Sequence, residues 1–234
     1  MKKSNPEELM QHGLHFGHKS QRVNPRAHKY IFKIENGISI IDLFKTAEEL
    51  DKAKQYLFDL GKQNKNILVV ATKKQAKSIV SQICKENGVN YLTSKWIGGF
   101  ISNFEEIKKN IKKLETMRKD KEEGGWNKFP KHERFKLEKQ LQRVNKIYEG
   151  VANLTSLPDD LLIIDIKQEA NAVKEAKEKG MTIVAVVDTN SDPYLVDYPI
   201  PANDDAITSI EYLTRTMIEA YTDGKKLAGD KEEK

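Results

Sequence analysis

The chain has 234 residues, of which 38% are hydrophobic and 32% are charged, so it can bury one sizeable core beneath a very polar surface. Its single cysteine excludes internal disulfides and cysteine-rich zinc sites. The amino-terminal segment lacks an apolar run, so we expect neither a signal peptide nor a membrane span. Up to residue 149 there are 31 Lys and Arg against 18 Asp and Glu, and thereafter 9 against 17. This asymmetry indicates nucleic-acid contact, although uneven solvated faces of a lysine-rich protein would give the same pattern.

The segment YIFKIENGISIID, which begins at Tyr30, predicts two short strands. The pair Asn36-Gly37 between them is typical of a tight hairpin turn. Because Tyr30 and Phe32 fall in a strand, we expect them to pack in the core rather than to stack on bases.

Strand and helix patterns then alternate along the chain. A helical apolar period from Leu43 to Leu60 precedes the continuous apolar run ILVVAT at Ile67. The next helix turns Cys84 inward, which favours a packed small hydrophobe over a nucleophile. Two further apolar runs, LLIIDI at Leu161 and TIVAVVD at Thr182, flank another helix. This rhythm predicts an α/β fold with a parallel sheet covered by helices on both faces.

The middle of the chain breaks this rhythm. Apolar residues recur every three or four positions over residues 104–117 and 137–148, and the loop signal EEGGWNKFP separates the two runs. We interpret residues 103–150 as an antiparallel coiled-coil arm inserted into an α/β domain of residues 1–102 and 151–226. Two ordinary surface helices are the alternative. Residues 227–234 are predicted to be a charged flexible tail.

Several enzyme signatures are absent from the sequence. It has no G-x-G-x-x-G after a strand, no phosphate-binding G-x-x-x-x-G-K-[ST], no G-x-S-x-G and no H-E-x-x-H. These absences count against several classes of enzyme. A metal- or nucleotide-dependent enzyme on a doubly wound sheet remains the alternative function, because a fold of this kind hosts many activities.

Histidines and aspartates offer a candidate metal site. Asp188 ends a predicted strand, and Asp204 and Asp205 follow the next segment, so the three acids are expected beyond the carboxyl ends of the strands. His15 or His18 would supply a nitrogen ligand for a divalent metal. The alternative is that the acids cap loops and a helix while the histidines fill a turn.

The stretch after the histidines is also suited to phosphate binding. Four cations follow within eleven residues, and Asn24-Pro25 makes the backbone irregular, which leaves N–H groups free to bind phosphate oxygens. Two more cations stand where a strand opens into a helix, a favourable place for an anion. These six cations are Lys19, Arg22, Arg26, Lys29, Lys73 and Lys74.

Seven segments occur in the order in which one family has them. They are HFGHKSQRVNP, NGISIIDLFKT, TKKQA, KWIGGFISN, LPDDLLIID, VDTNSDP and IPANDDA. The chain thereby resembles the second protein of the small ribosomal subunit, bacterial type, from about residue 9 to about residue 221. Each segment alone is weak evidence, whereas seven in register with a helical hairpin in their midst are highly specific.

The resemblance implies a flavodoxin-like parallel sheet with a projecting coiled-coil arm and a non-catalytic role in the cytoplasmic ribosome. It implies contact with small-subunit ribosomal RNA near the junction of head and body, and contact with neighbouring ribosomal proteins. Among these is small-subunit protein one, which captures messenger RNA and which members help to recruit. Neither a membrane nor a homo-oligomer is expected. No cofactor is required, and the structural divalent metal that some members bind near the histidine segment, which comprises residues 12–30, stays an open alternative.

Given this resemblance, the phosphate-contact candidates extend to the loop before the arm and to the first helix of the arm. The full set is Lys19, Arg22, Arg26, Lys29, Lys73, Lys74, Lys95, Lys108, Lys109, Lys112 and Lys113. We expect these cations to neutralise phosphates and to fit the shape of folded RNA rather than to read bases. The acidic later part of the chain is expected to face solvent or a protein partner.

Overall fold

A computed structural model describes residues 3–232 of the chain, and the side chains of residues 3–229. At its centre lie five parallel strands: β4 (Ile67–Val70), β5 (Asn90–Leu92), β6 (Asp160–Ile164), β7 (Ile183–Val187) and β8 (Tyr198–Pro201). Their order in the sheet is β5-β4-β6-β7-β8. Every residue of β4, β6 and β7 is buried, which explains their continuous apolar sequences.

The strand order reverses direction at β4. The chain moves from β4 outward to β5 and then returns to the other side of β4 to form β6. Ligands of open parallel sheets bind beyond the carboxyl ends of the strands at such a switch point. Here residues 71–74 follow β4 and residue 165 follows β6, so both segments border the switch point.

Helices cover both faces of this sheet, as predicted. One face carries α2 (Leu43–Lys62), α3 (Lys77–Glu86) and α7 (Ile207–Glu232), and α1 (Pro6–Gln11) packs against α2. The other face carries α6 (Ala170–Glu178) and residues from two long helices described below. Successive strand residues enter opposite cores, because side chains alternate along a strand. Among the described residues, no helix has the length and apolarity needed to cross a membrane.

Two features fix how the first face packs. Cys84 is fully buried on α3, and burial raises the pKa of its thiol to about 12, so it is the packed small hydrophobe that the sequence predicts.

Helices α2 and α7 approach until their backbones touch. A Cβ on Gly61 would overlap the carbonyl oxygen of Tyr221, and a Cβ on Gly224 would overlap that of Phe58.

A second, antiparallel sheet contains β1 (Phe16–Lys19), β2 (Ile31–Glu35) and β3 (Ile38–Ile41), in the order β1-β3-β2. The predicted hairpin is confirmed. Asn36 and Gly37 have φ angles of 49° and 77°, which fits a two-residue turn with both central residues in the left-handed region. Strand β1 was not predicted, because its sequence FGHK lacks an apolar alternation.

The prediction for the two aromatic residues of this hairpin is half right. Tyr30 is buried, whereas Phe32 is 70% exposed, so its assignment to the core is wrong. The four residues from Phe32 to Glu35 are all exposed, so neither face of this part of β2 is well covered. An apolar strand pattern predicts a buried face only where a second layer packs on it.

The middle segment forms two long helices, α4 (Phe104–Glu122) and α5 (Lys131–Tyr148). The turn between them contains Gly124 in the left-handed region, with a φ of 73°, and the buried Trp126. One side of α4 is buried at four positions: Ile107, Ile111, Leu114 and Met117. The first three of these, together with Tyr148 of α5, belong to the core on the second face of the central sheet.

Helix α7 reaches Glu232, so residues 227–232 of the predicted flexible tail are helical. Residues 233 and 234 lie outside the described residues. Helix ends depend on tertiary packing for their stability. Leu227 is exposed, so the end of α7 receives little such packing from this residue.

Candidate functional site

A cluster of charged side chains lies at the switch point of the central sheet. Lys73, which follows β4, places its Nζ 3.1 Å from Oδ2 of Asp165, which follows β6. The same Nζ lies 2.6 Å from Oδ1 of Asp204 and 2.7 Å from Oδ1 of Asp205, beyond the end of β8. One ammonium group therefore joins the carboxyl ends of three strands.

The carboxylates of this cluster are crowded, and those of Asp165 and Asp204 are buried, whereas that of Asp205 is half exposed. Burial, together with repulsion from Asp188 and Asp165, raises the pKa of Asp204 to about 7. Burial alone would lower the pKa of Lys73, but attraction by Asp204 and hydrogen bonds to Asp204 and Asp205 raise it. The Lys73 ammonium is thus charged and already bonded to three carboxylates, so an RNA phosphate, the partner that the sequence predicts, would have to compete with them.

His18 sits beside this cluster. Its Nδ1 lies 2.9 Å from Oδ2 of Asp188, and its Nε2 lies 3.6 Å from Oδ2 of Asp205. The hydrogen bond with Asp188 raises the pKa of His18, and the charges of the nearby aspartates add to this effect. One nitrogen of His18 and one oxygen each of Asp188 and Asp205 lie within 4.8 Å of one another, close enough to share a metal ion.

His15, the other predicted nitrogen ligand, points elsewhere. Because both residues flank or belong to β1, which is a strand rather than a helix, their spacing of three turns them apart. The His15 ring contacts that of Phe16, with 4.0 Å between centroids, and partial burial lowers its pKa. Asp204, the third predicted acid, bonds Lys73 instead of approaching His18 within ligand distance.

Strand β1 reaches the cluster because Gly17 has no side chain. A Cβ on Gly17 would lie 2.7 Å from Cγ2 of Thr189, a contact that no real Cβ makes. The hydroxyl of Thr189 accepts a hydrogen bond from the backbone N–H of His18, and the carbonyl of Thr189 accepts one from Asn24. The amino-terminal histidine segment is therefore bonded to the loop after β7.

Residues after β8 hold the same segment from the other side. The backbone N–H of Asn203 donates to the carbonyl of Leu14, and its side-chain amide donates to that of Gly13. The hydroxyl of Thr208 donates to the carbonyl of His12.

Most of the predicted RNA-contact cations lie on the surface. Six are exposed and have no ion pair within the part of the chain that the structure describes. They are Lys19, Arg22, Lys74, Lys95, Lys112 and Lys113. Lys108 is half-buried and likewise has no ion pair among described residues.

Three further candidate cations already have partners. Arg26 places Nη1 2.6 Å from Oδ2 of Asp192. The Lys29 ammonium lies 4.3 Å from the centre of the Tyr194 ring. Lys109 forms an exposed ion pair with Glu106 on its own helix, a pair that is easily exchanged for a phosphate.

The loop before α4, which carries Lys95, is gathered around one carboxylate. Oε1 of Glu175 accepts hydrogen bonds from Nε1 of Trp96 at 3.0 Å and from the backbone N–H of Gly99 at 2.9 Å. Oε2 accepts from the N–H groups of Ile101 at 3.1 Å and Ser102 at 3.4 Å. Burial alone would raise the pKa of Glu175, but these bonds lower it. Glu175 therefore sets the shape of the loop that leads into α4.

An exposed apolar surface lies on the small sheet and beside it. A cavity of about 550 Å³ opens there, between the small sheet, α1 and the start of α2. Its most exposed apolar residues are Phe32, at 70%, and Phe44, at 79%. We call this surface the apolar face, and it comprises Met10, Phe16, Phe32, Ile40 and Phe44. Such a concentration of exposed aromatic side chains is typical of a protein-binding surface.

Comparison with known proteins decides the family. The family model for ribosomal protein S2 matches residues 9–224. The chain belongs to the ribosomal protein S2 family. It is 41% identical over 221 residues to small ribosomal subunit protein uS2 of Dictyoglomus thermophilum, covering 94% of this chain and 90% of that relative. It is 40% identical over 220 residues to the uS2 protein of Coprothermobacter proteolyticus, covering 94% and 82%.

Membership of the S2 family identifies the chain as a structural component of the small ribosomal subunit that serves translation in the cytoplasmic ribosome. It is therefore not an enzyme, and the alternative of a metal- or nucleotide-dependent enzyme is set aside. Titratable groups do converge at the switch point, but the protein's own lysine occupies the centre of that cluster.

Sequence reasoning missed two features of this S2 protein. The apolar face was not predicted, because an apolar strand pattern does not distinguish an exposed aromatic residue from a buried one. The role of Glu175 had no local signal, because its partners lie more than 70 residues earlier in the chain.

Replacing Glu175 with Gln is expected to lower the free energy of unfolding at neutral pH by about 1–3 kcal/mol. The amide group turns a donor toward N–H donors and leaves one of them unsatisfied. The pKa of Glu175 is lower in the folded chain, so its stabilising effect is present above the carboxyl's ordinary pKa and disappears as pH falls through the folded-state value. Urea melts of both proteins at descending pH should therefore converge. The matched control is Glu178→Gln on the same helix, where the exposed pair with Lys174 predicts little change. Equal stability of wild type and Glu175→Gln at every pH would contradict this role.

Proposed function

We propose that the chain binds small-subunit ribosomal RNA near the junction of head and body through its exposed cations. The observation that carries this proposal is the set of unpaired, exposed Lys and Arg residues on the histidine segment, the loop before α4 and α4 itself, within the described part of the chain. A surface lysine without a carboxylate partner can neutralise a phosphate without breaking an existing ion pair. Lys73 is not among these unpaired cations, because it bonds three carboxylates, so its predicted phosphate contact would require the exchange of an ion pair.

The proposed binding mode is charge neutralisation and shape fit. Folded RNA presents phosphates and 2′-hydroxyls on an A-form surface, which a rigid basic surface can match without reading bases. Lys19 and Arg22 lie on a segment that is bonded to the loop after β7, and Lys95 lies on the loop held by Glu175. Such support fixes the cations in place before the RNA arrives, which limits the entropic cost of binding.

Removing two exposed cations from the histidine segment, Lys19→Ala with Arg22→Ala, is expected to weaken RNA binding by about 1–3 kcal/mol. The slope of log affinity against log salt should become shallower by about 0.7–0.9 for each phosphate that the variant no longer neutralises. The measurement is a filter-binding or fluorescence titration with the cognate ribosomal RNA region at several potassium concentrations.

The control for this titration is Lys62→Ala with Lys65→Ala. These two lysines are also exposed but lie before β4, at the opposite edge of the sheet. The control should keep the affinity and slope of the wild type, apart from a small general charge effect. Equal losses of affinity in the two variants would mean that net charge, rather than this surface, drives binding.

We also propose that α4 and α5 form an inserted antiparallel coiled-coil arm of residues 103–150 that extends the RNA surface. Cross-helix contacts run in opposite directions along the two helices: Arg118 bonds Asn145, and Lys121 lies 3.7 Å from Glu138. Buried residues recur on α4 every three or four positions, as in a coiled-coil seam. The base of the arm packs on the sheet, so only its outer part would be independent.

Replacing residues 118–140, the outer part of the arm, with a short Gly-Ser linker should leave a domain that still unfolds cooperatively, because Ile111 and Leu114 of the second core are kept. Its incorporation into small subunits should fall, because the variant lacks the lysines and arginines of the outer arm. Calorimetry and sedimentation of subunits measure the two effects. Loss of cooperative unfolding would assign the whole hairpin to the core instead.

A third proposal is that the apolar face binds small-subunit protein one and so helps to bring messenger RNA to the subunit. The support is an open, apolar cavity flanked by exposed aromatic side chains, which suits an apolar segment of a protein partner rather than RNA. None of the cations proposed for RNA lines this cavity, so one chain could hold both partners.

Phe32→Ala with Phe44→Ala is expected to raise the dissociation constant for protein one at least about tenfold, because aromatic anchors dominate protein interfaces. Subunits carrying the variant should contain normal amounts of this chain but less protein one. The control is Phe135→Ala, which removes an exposed aromatic residue from α5. Unchanged protein-one content in the double variant would exclude this surface.

We further propose that His18, Asp188 and Asp205 hold a divalent metal ion. One imidazole nitrogen and two carboxylate oxygens form a ligand set that suits zinc, and the surplus of aspartates around His18 favours a cation. When bound, the ion would cross-link the histidine segment to the ends of β7 and β8. It has no catalytic task.

Zinc at one hundred times its dissociation constant is expected to stabilise the folded chain by about 2.7 kcal/mol, and a chelator should reverse the effect. The change His18→Ala should abolish the zinc-dependent rise in melting temperature. His15→Ala is the control and should retain it, since His15 faces away from the aspartates. A melting temperature of the wild type that responds to neither zinc nor chelator would exclude the site.

A further inference from the structure

A small polar cavity lies where β5, α3 and the end of α5 meet. Its volume is about 80 Å³. Hydroxyl and ammonium groups line most of it, from Ser81, Lys85, Tyr91, Thr93, Ser94 and Lys146. None of these residues belongs to the carboxylate cluster, the apolar face or the cations proposed above for RNA binding.

Two hydroxyl groups of this cavity, those of Tyr91 and Ser94, have no hydrogen bond of good geometry within the described part of the chain. Tyr91 is only 6% exposed, and the ammonium of Lys85 lies beside its hydroxyl and interacts with it. Burial raises the pKa of Tyr91, so its hydroxyl stays protonated and can donate at neutral pH. Buried polar groups are nearly always hydrogen-bonded, and unpaired ones call for a ligand or ordered water.

The charges around the cavity favour an anion. Nζ of Lys85 lies 2.9 Å from Oε1 of Glu149, and these two side chains are about half exposed. Lys146 has no ion pair among the described residues, so the lining carries one net positive charge. Because exposed ion pairs are weak, Lys85 can leave Glu149 for a better acceptor.

The backbone around the cavity is rigidly placed. A Cβ on Gly150 would overlap the carbonyl oxygen of Tyr91, so the chain after α5 lies directly on strand β5. Residues of a strand, a helix and the end of α5 therefore line the same cavity. Since a water molecule takes about 30 Å³, the cavity has room for two or three waters or for one tetrahedral oxyanion.

We infer that this cavity binds a phosphate group. Tyr91 and Ser94 donate hydrogen bonds to it, Lys146 neutralises it, and Lys85 turns to it from Glu149. The phosphate comes either from the RNA backbone, an alternative that rests on the proposed RNA binding, or from free inorganic phosphate, which does not depend on that proposal.

The first test uses inorganic phosphate and the full chain. Phosphate is titrated at constant ionic strength, with chloride as the balancing anion, and binding is followed by phosphorus NMR line width and by melting temperature. Tyr91→Phe with Ser94→Ala removes both donors with little change in volume and should weaken binding about tenfold or more. Glu149→Gln removes the carboxylate that competes for Lys85 and should strengthen binding a few-fold.

Tyr221→Phe controls for general effects of removing a tyrosine hydroxyl. The hydroxyl of Tyr221 donates to the carbonyl of Lys65 at 2.9 Å, far along the chain from the cavity. This variant should lose stability but keep its phosphate affinity. Tyr91→Phe, whose hydroxyl interacts only with the half-exposed Lys85 among the described residues, should lose affinity with a smaller loss of stability.

The second test measures affinity of the same variants for the ribosomal RNA region. If an RNA phosphate fills the cavity, the Tyr91 and Ser94 changes weaken RNA binding, and Glu149→Gln strengthens it. If free phosphate fills it, the Tyr91 and Ser94 changes leave RNA affinity unchanged. The same changes reduce the effects of inorganic phosphate on the phosphorus NMR line width and on the melting temperature. Failure of the wild type to bind RNA would overturn the proposed function, and the inorganic phosphate titration would still decide the cavity. If neither phosphate nor RNA distinguishes the variants from the wild type, the cavity holds only water and the inference is wrong.

Discussion

The ammonium group of Lys73 is the interaction on which the central sheet's carboxyl edge depends. Parallel strands deliver their last side chains to one edge, and here those side chains include Asp165, Asp204 and Asp205. Without a cation among them, these crowded carboxylates would repel one another, and breaking such a buried network is strongly destabilising. Enzymes on doubly wound sheets leave this crevice open for a ligand. In this S2 protein the chain's own lysine fills it, which suits a structural role.

Regular elements could be predicted from the sequence because their signals are local. The apolar runs at Ile67, Leu161 and Thr182 became buried parallel strands, and the Asn36-Gly37 pair became the hairpin turn. The helical spacing of apolar residues likewise predicted α2 and the two helices of the middle segment. In each case neighbouring residues determine the backbone, so no knowledge of distant partners is needed.

The candidate site could be predicted only in part, because side-chain partners are not local. The sequence correctly predicted that the aspartates lie at the carboxyl edge of the sheet. It could not predict which of His15 and His18 approaches them, since that depends on β1 being a strand. It assigned Lys73 to RNA because a strand end that opens a helix favours anions. The anions that Lys73 meets are aspartates more than 90 residues away along the chain. Phe32 was misplaced for a similar reason, because no layer covers its strand.

The surfaces of the chain divide by chemistry as well as by position. Within the described residues, exposed cations without an ion pair include several on the histidine segment, the loop before α4 and α4, whereas the exposed Phe16, Phe32 and Phe44 lie on the small sheet and beside it. The hairpin of β2 and β3 connects these surfaces, since Lys19 and Arg22 precede it and its exposed residues form part of the apolar face. A rigid small sheet can thus present an apolar surface to a protein while the same amino-terminal region faces RNA.

The bonds that hold the histidine segment have a consequence for the order of folding. Residues 12–24 take their shape from hydrogen bonds to Thr189, Asn203 and Thr208, near the other end of the chain. During synthesis this segment is made more than 160 residues before these partners. It can pair with β3 early, through Phe16 and Lys19, because β3 follows it closely in the chain. The bonds that fix it against the central sheet form only after β7 and β8 have been made.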